Sequence, residues 1–201
     1  MVEAAYRLMS TRGYMEATMT DIAAEAGVAV QTIYFTFHNK PALMRAAFEF
    51  AVHGDHLPIT PTERPWFAAL EGQPDIERAL AIFVEANEAI LHRVMPLASV
   101  FRALGDDAEI ASFYVLSERL RRDGYRVVVE TLARKRPLHT GLSPEDATTI
   151  LLVLLGTDVY RSMVVDHGWA EHKWRSWVIQ TLSEALFGLA SGAVGGPLSN
   201  P

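Results

Sequence analysis

Apolar residues recur along this chain at helical spacing, three to four apart, and no stretch shows the strict alternation of a half-buried strand. Ala5, Leu8 and Met9 share one face of a first helix that Gly13 ends. Ile22, Ala23 and Ala26 share the face of a short second segment, which Thr20 can cap and Gly27 can close. Ile33 and Phe37, at i and i+4, are the buried positions of another short helix from Val30 to Phe37. Pro41 then suits the first turn of a helix reaching His53, with Leu43, Ala47, Phe50 and Ala51 on its apolar side.

Beyond it, Gly54, Pro58, Pro61, Pro65, Gly72 and Pro74 mark the clearest boundary in the chain, with Trp66, Phe67 and Leu70 in a short packed turn. A long helix is expected from Asp75 to Val94, broken or kinked at Pro96, then a short helix to Leu104 and a turn at Gly105-Asp106-Asp107. Another follows from Ala108 to Arg136. Ser143-Pro144-Glu145-Asp146 opens the next with a serine cap, a proline in the first turn and two acids; it is expected to run to His167. The last spans Glu171 to Leu189, and residues 191–201, rich in glycine, proline and serine, read as a disordered tail. The expected fold is all-α.

Composition narrows the chemistry. Half of the 201 residues are hydrophobic, enough for a sizeable core. The chain has no cysteine, which removes disulfides, thiolate metal sites and thiol nucleophiles and fits a reducing compartment. No basic-then-apolar leader opens it, and the longest apolar runs, near Leu152 and Val128, look too short to span a bilayer. The expectation is a soluble cytoplasmic protein with no membrane partner. The net charge of −6 is not spread evenly: residues 1–52 hold Arg7, Arg12, Lys40 and Arg45 against Glu3, Glu16, Asp21, Glu25 and Glu49. That segment is near neutral, so any phosphate affinity rests on where its few cations and amides sit.

Two helices as short as those around Ile22 and Ile33 bury little surface alone. Joined by a glycine turn, they make sense as a helix-turn-helix that offers its second helix to the major groove. The wording TDIAAEAGV followed by TIYFTFHNKPAL resembles the DNA-binding signature of the tetracycline-repressor (TetR) family of bacterial regulators. The resemblance implies a three-helix reading head at 1–52 and a larger helical body at 53–190 that binds ligand and dimerises. It places Thr20 where a hydroxyl can cap or reach a phosphate, and Val30, Gln31 and Thr32 on the turn that meets base edges. Gln31 can pair with adenine, and Val30 and Thr32 can touch a thymine methyl. Tyr34 and Lys40 match the family's phosphate contacts, with Thr36 on the same exposed side. Ala29 departs from the usual serine and forgoes a side-chain cap worth roughly 1 kcal/mol; Thr36 stands where histidine is frequent.

In the body, Ile150, Leu151, Leu154 and Val159 lie on one side of their helix, and Val153, Tyr160, Met163 and Val164 on others. A helix apolar around most of its circumference has to be covered from both sides. Either it is the innermost helix of one chain, or a second chain covers it. The sequence DVYRSMVVDHGWAEHKWRSWV resembles the family's dimerisation pair, which implies a homodimer with Leu151, Leu154, Val159, Met163, Trp174, Trp177, Val178 and Leu182 at its interface. Two recognition helices then meet a palindromic operator in duplex DNA, with half-sites roughly 34–36 Å apart. Phe83, Asn87, Leu91, His92, Met95, Phe101 and Tyr114 mix aromatic, apolar and polar groups as a ligand pocket requires; plain core packing accounts for them equally well.

Enzymatic readings have little to stand on. The seven histidines are scattered, and the chain lacks a glycine-rich phosphate loop or a nucleophile elbow. No catalytic residue, metal or cofactor is expected. The resulting expectation is a homodimeric transcriptional regulator, a repressor released from its operator by a small apolar effector. Its rivals are a regulator without a ligand, an activator, or a helical interaction protein that has lost DNA binding.

Overall fold

The computed structural model describes residues 1–55, 60–103 and 108–189, apart from the side chains of Ser99 and Phe101–Ala103. The Gly105-Asp106-Asp107 turn and the tail at 191–201 lie outside these residues. Among the described residues every regular element is helical, as expected: α1 (Val2–Arg12), α2 (Met19–Glu25), α3 (Val30–Phe37), α4 (Lys40–His53), a 3₁₀ turn at Pro61–Glu63, α5 (Pro65–Gly72), α6 (Ile76–Ala103), α7 (Ala108–Lys135), α8 (Pro144–Leu154), α9 (Thr157–Tyr160), a π-helical turn at Arg161–Asp166 and α10 (Glu171–Phe187).

The chain divides into two compact units. The first joins Met1–Arg64 with Ala86–Asp123; the second joins Pro65–Glu85 with residues from Gly124 onward. Helices α6 and α7 therefore serve both. The core of the first unit is built from Ala5, Met9, Ile22, Ile33, Leu43 and Ala47, closed by Val94, Leu97 and Val100 of α6. Periodicity placed each head residue correctly on its buried face. It did not reveal that the second half of α6 completes their core, because that contact is more than forty residues distant in the chain.

Three local features differ from expectation. Thr18, not Thr20, caps α2: its hydroxyl accepts from the Asp21 N–H at 3.1 Å and donates to the Asp21 carboxylate at 2.6 Å. Only Thr18 has the extended backbone that a cap requires, while Thr20 already lies inside the helix. Second, α6 runs through Pro96 without a break. A proline forfeits one backbone hydrogen bond and bends a helix, and packing on both sides of it, by Val94 and by Leu97 and Val100, holds the two halves together. Third, the expected helix from Ser143 to His167 is interrupted. Gly156 has extended backbone, and a Cβ there would meet the carbonyl oxygens of Leu152 at 3.0 Å and Val153 at 3.3 Å.

Residues Pro144–Asp166 do reach the length and hydropathy of a membrane span, with a mean hydropathy of 1.4 and 28% burial. The expectation that no apolar run is long enough is corrected on this point, because the reading missed how α8, α9 and the π turn add up. The break at Gly156 and the charged side chains of Asp158, Arg161 and Asp166 suit a face covered by protein better than a bilayer core.

The Thr18 cap yields a testable pH effect. Hydrogen bonds from the Thr18 hydroxyl and backbone N–H hold the Asp21 carboxyl below its usual pKa. A lowered carboxylate pKa contributes stability that is present above the unfolded value, near 4, and is lost as pH falls through the folded value. Thr18→Ala is expected to cost about 1 kcal/mol at neutral pH. Chemical denaturation at pH 7 and pH 3 should show that cost shrinking in acid; an equal loss at both would exclude the Asp21 carboxylate as a contributor.

Candidate nucleic-acid interface

The buried side chain of α3 is Ile33, which joins the head core. Gly27, at φ 67, turns the chain out of α2, and the Val28 N–H donates back to Ala23 O at 3.0 Å. Helix α3 then starts from an extended Ala29 with no side-chain cap, and the Thr32 N–H donates to Ala29 O at 2.9 Å. It ends at His38, whose φ of 63 is unusual for a residue other than glycine. There the Asn39 N–H donates to Phe37 O, and the Asn39 side chain caps α4 by accepting from the Ala42 N–H at 2.7 Å. The direction of α3 is thus set at both ends by backbone geometry.

With Ile33 inward, Gln31, Thr32, Tyr34, Phe35 and Thr36 are exposed. The Thr36 hydroxyl donates to Thr32 O at 2.9 Å, which leaves its oxygen lone pairs outward. Val30 is half-buried and packs on the head core, so of the three expected base readers only Gln31 and Thr32 are fully presented. Thr20 is exposed in the first turn of α2. Lys40 holds its ammonium 4.4 Å over the Tyr14 ring and donates to Met15 O at 3.3 Å. Burial pushes its pKa below the usual lysine value. The cation is fixed in place by the loop between α1 and α2. The sequence reading passed over Phe35; its signal was available, since it lies four residues after Gln31 and three after Thr32, on their face.

In the second unit, four of the expected interface residues turn inward. Leu151, Trp174, Val178 and Leu182 are fully buried within the chain, Trp174 edge-on to Tyr160 with ring centroids 4.8 Å apart. They are corrected to positions of the chain's own core. Leu154, Val159, Met163 and Trp177 are half-buried, and Val153 and Val165 are 58% and 63% exposed. The apolar surface that remains in part exposed on these helices is this outer set.

The pocket candidates divide as well. Phe83, Asn87 and Leu91 are buried and Met95 is half-buried, whereas His92 and Tyr114 are exposed. These two are corrected to surface positions, since an exposed side chain does not line an enclosed cavity. The Phe101 side chain lies outside the described residues. Phe83 packs within the second unit, edge-on to Tyr125 at 5.2 Å and tilted against Trp66 at 5.9 Å.

Residues 1–47 match the family model described as bacterial regulatory proteins, tetR family. No curated protein matches the chain. Solved structures with the same fold include a TetR-family transcriptional regulator from Rhodococcus sp., 13% identical, with a TM-score of 0.71 over 92% of this chain and 95% of that one. The transcriptional regulator FadR from Bacillus subtilis, in complex with stearoyl-CoA, is 17% identical with a TM-score of 0.71 over 90% and 95%. A transcriptional regulator from Saccharomonospora viridis, in complex with choline, is 17% identical with a TM-score of 0.62 over 92% and 94%. At these identities the likeness is one of fold, while the match over residues 1–47 is one of sequence. Residues 1–47 thus carry the DNA-binding head of the tetR family, and the chain shares the fold of solved TetR-family regulators.

Proposed function

We propose that this regulator is a cytoplasmic homodimeric repressor, whose residues 1–52 grip a palindromic operator and whose residues 53–190 dimerise and bind a small apolar effector that releases the DNA. The observation that carries the DNA half is the outward face of α3, where Gln31 and Thr32 stand exposed directly above the buried Ile33. Thr20, Tyr34, Thr36 and Lys40 flank that face as the phosphate-contacting set.

The effector half draws on the neighbours and on α6. FadR of Bacillus subtilis carries stearoyl-CoA and the Saccharomonospora viridis regulator carries choline in a shared fold. Here the buried positions of α6 in the second unit include Leu80, Phe83 and Val84, side chains suited to an apolar ligand. The same helix is tied to the head. The Arg93 guanidinium donates to Ala51 O at 2.8 Å and Val52 O at 3.3 Å at the end of α4, and the Tyr6 hydroxyl donates to Arg93 O at 2.9 Å. A ligand that favours one arrangement of α6 therefore shifts α4 and α1 with it; differential affinity for two states is all such coupling needs.

A mobility shift with DNA flanking the protein's own gene tests the reading. Binding should weaken steeply between 50 and 200 mM salt, as phosphate neutralisation requires. Absence of binding to every such fragment would overturn it. Lys40→Gln is expected to weaken all sequences alike and lower the salt slope by about one, while Gln31→Ala should relax preference at one base pair by about 1–3 kcal/mol. The reverse pattern would show that the two contacts are assigned the wrong way round.

A further inference from the structure

Among the described residues, the most exposed large hydrophobic side chain is Phe35, at 85%. Its position is more telling than its exposure. Ile33 is fully buried and Phe37 packs on the head core, so α3 has a defined inner face. At about 100° per residue, Phe35 falls opposite that face, between Gln31 four residues before it and Thr32 three before it. It therefore occupies the centre of the surface that the proposed function turns toward DNA. A phenylalanine held in water forgoes burial that the fold supplies to its neighbours, and nothing within the head gains from it.

In a major groove the base edges are hydrogen-bonding groups with one apolar exception, the C5-methyl of thymine. Val30, the other apolar residue at the start of α3, is half-buried against the head core and is poorly placed to reach it. Resting on the DNA-binding reading above, we propose that Phe35 is a specificity-determining residue that reads a thymine in each half-site by packing its ring against the C5-methyl. The hydrogen-bonding readers, Gln31 and Thr32, flank it and fix the register. Sugar or phosphate packing by the same ring is the competing contact, and it carries no preference for thymine over uracil.

The test uses the full chain and duplex DNA. Purified protein selects binding sites from a pool of random 30-base-pair duplexes, and in the recovered site each thymine is replaced in turn by deoxyuridine, which removes the methyl and keeps the pairing. One position per half-site is expected to lose about fourfold in affinity on replacement, the worth of one buried methyl. Phe35→Ala should abolish the thymine–uracil difference at that position alone, and Phe35→Leu, which keeps an apolar tip, should retain part of it. Because the side chain is exposed, circular dichroism of both variants should match the parent. If Phe35→Ala weakens binding while every thymine–uracil difference persists, the ring packs on the backbone and the proposal fails. If the parent protein enriches no sequence, the DNA-binding reading itself fails and takes this one with it.

Discussion

Trp174→Ala is expected to lower stability by about 3–5 kcal/mol, the usual range for deleting a fully buried aromatic side chain. Trp174 has no exposed surface, its ring lies edge-on to Tyr160 at 82°, and it begins a stripe on α10 that continues through Val178, Leu182 and Leu186. The same helix anchors the loop between α7 and α8, where the His139 N–H donates to Leu186 O at 2.7 Å. Alanine would leave a cavity walled by side chains that are themselves pinned, so little collapse can offset the loss. At roughly 2–4 °C per kcal/mol for a chain of this size, the midpoint should fall by about 6–20 °C. Thermal unfolding followed by circular dichroism measures this directly. The experiment also separates two roles for the residue. If Trp174→Ala yields a folded monomer with an almost unchanged midpoint, the side chain belongs to a subunit interface and the assignment to the chain's own core is wrong.

The second large effect concerns the outer apolar face. Val159→Glu combined with Met163→Glu is expected to convert a dimer at micromolar concentration into a monomer. The two positions are one helical turn apart and half-buried. In a single chain the introduced carboxylates can turn to water, whereas in a closed interface each would be a charge without a partner. Sedimentation equilibrium reads the change, and an unaltered circular dichroism spectrum shows the subunit intact. DNA affinity should fall by about 10²–10⁴, because two linked heads bind with an effective concentration that a lone head lacks. A parent protein that sediments as a monomer, or a double variant that remains a dimer, would refute the proposed interface.

These two predictions depend on a distinction that periodicity could not draw. Leu151 and Leu154 are both leucines on one apolar helix; one is sealed inside the chain and the other is half-exposed. Hydrophobic spacing identifies residues that water disfavours, without identifying what covers them. The ligand candidates follow the same logic: Phe83 and Leu91 behave as the pattern suggests, while His92, adjacent to Leu91 in sequence, points outward. By contrast the cap on α2 was legible. Thr18 and Asp21 have the spacing of a capping box, a signal that the expectation of a Thr20 cap did not include.

What the sequence determined by itself is the all-α fold and the reading head. The spacing of Ile22 and Ile33 and the glycine turn at Gly27 mark two short helices locally, and the match over residues 1–47 includes that same wording. The tertiary structure alone decided which apolar faces are interior, that α6 passes unbroken through Pro96, that Gly156 divides the expected long helix, and that Arg93 ties α6 to the end of α4. Each of these depends on which distant residues are packed alongside, and burial and hydrogen bonding between remote segments leave no period in the chain.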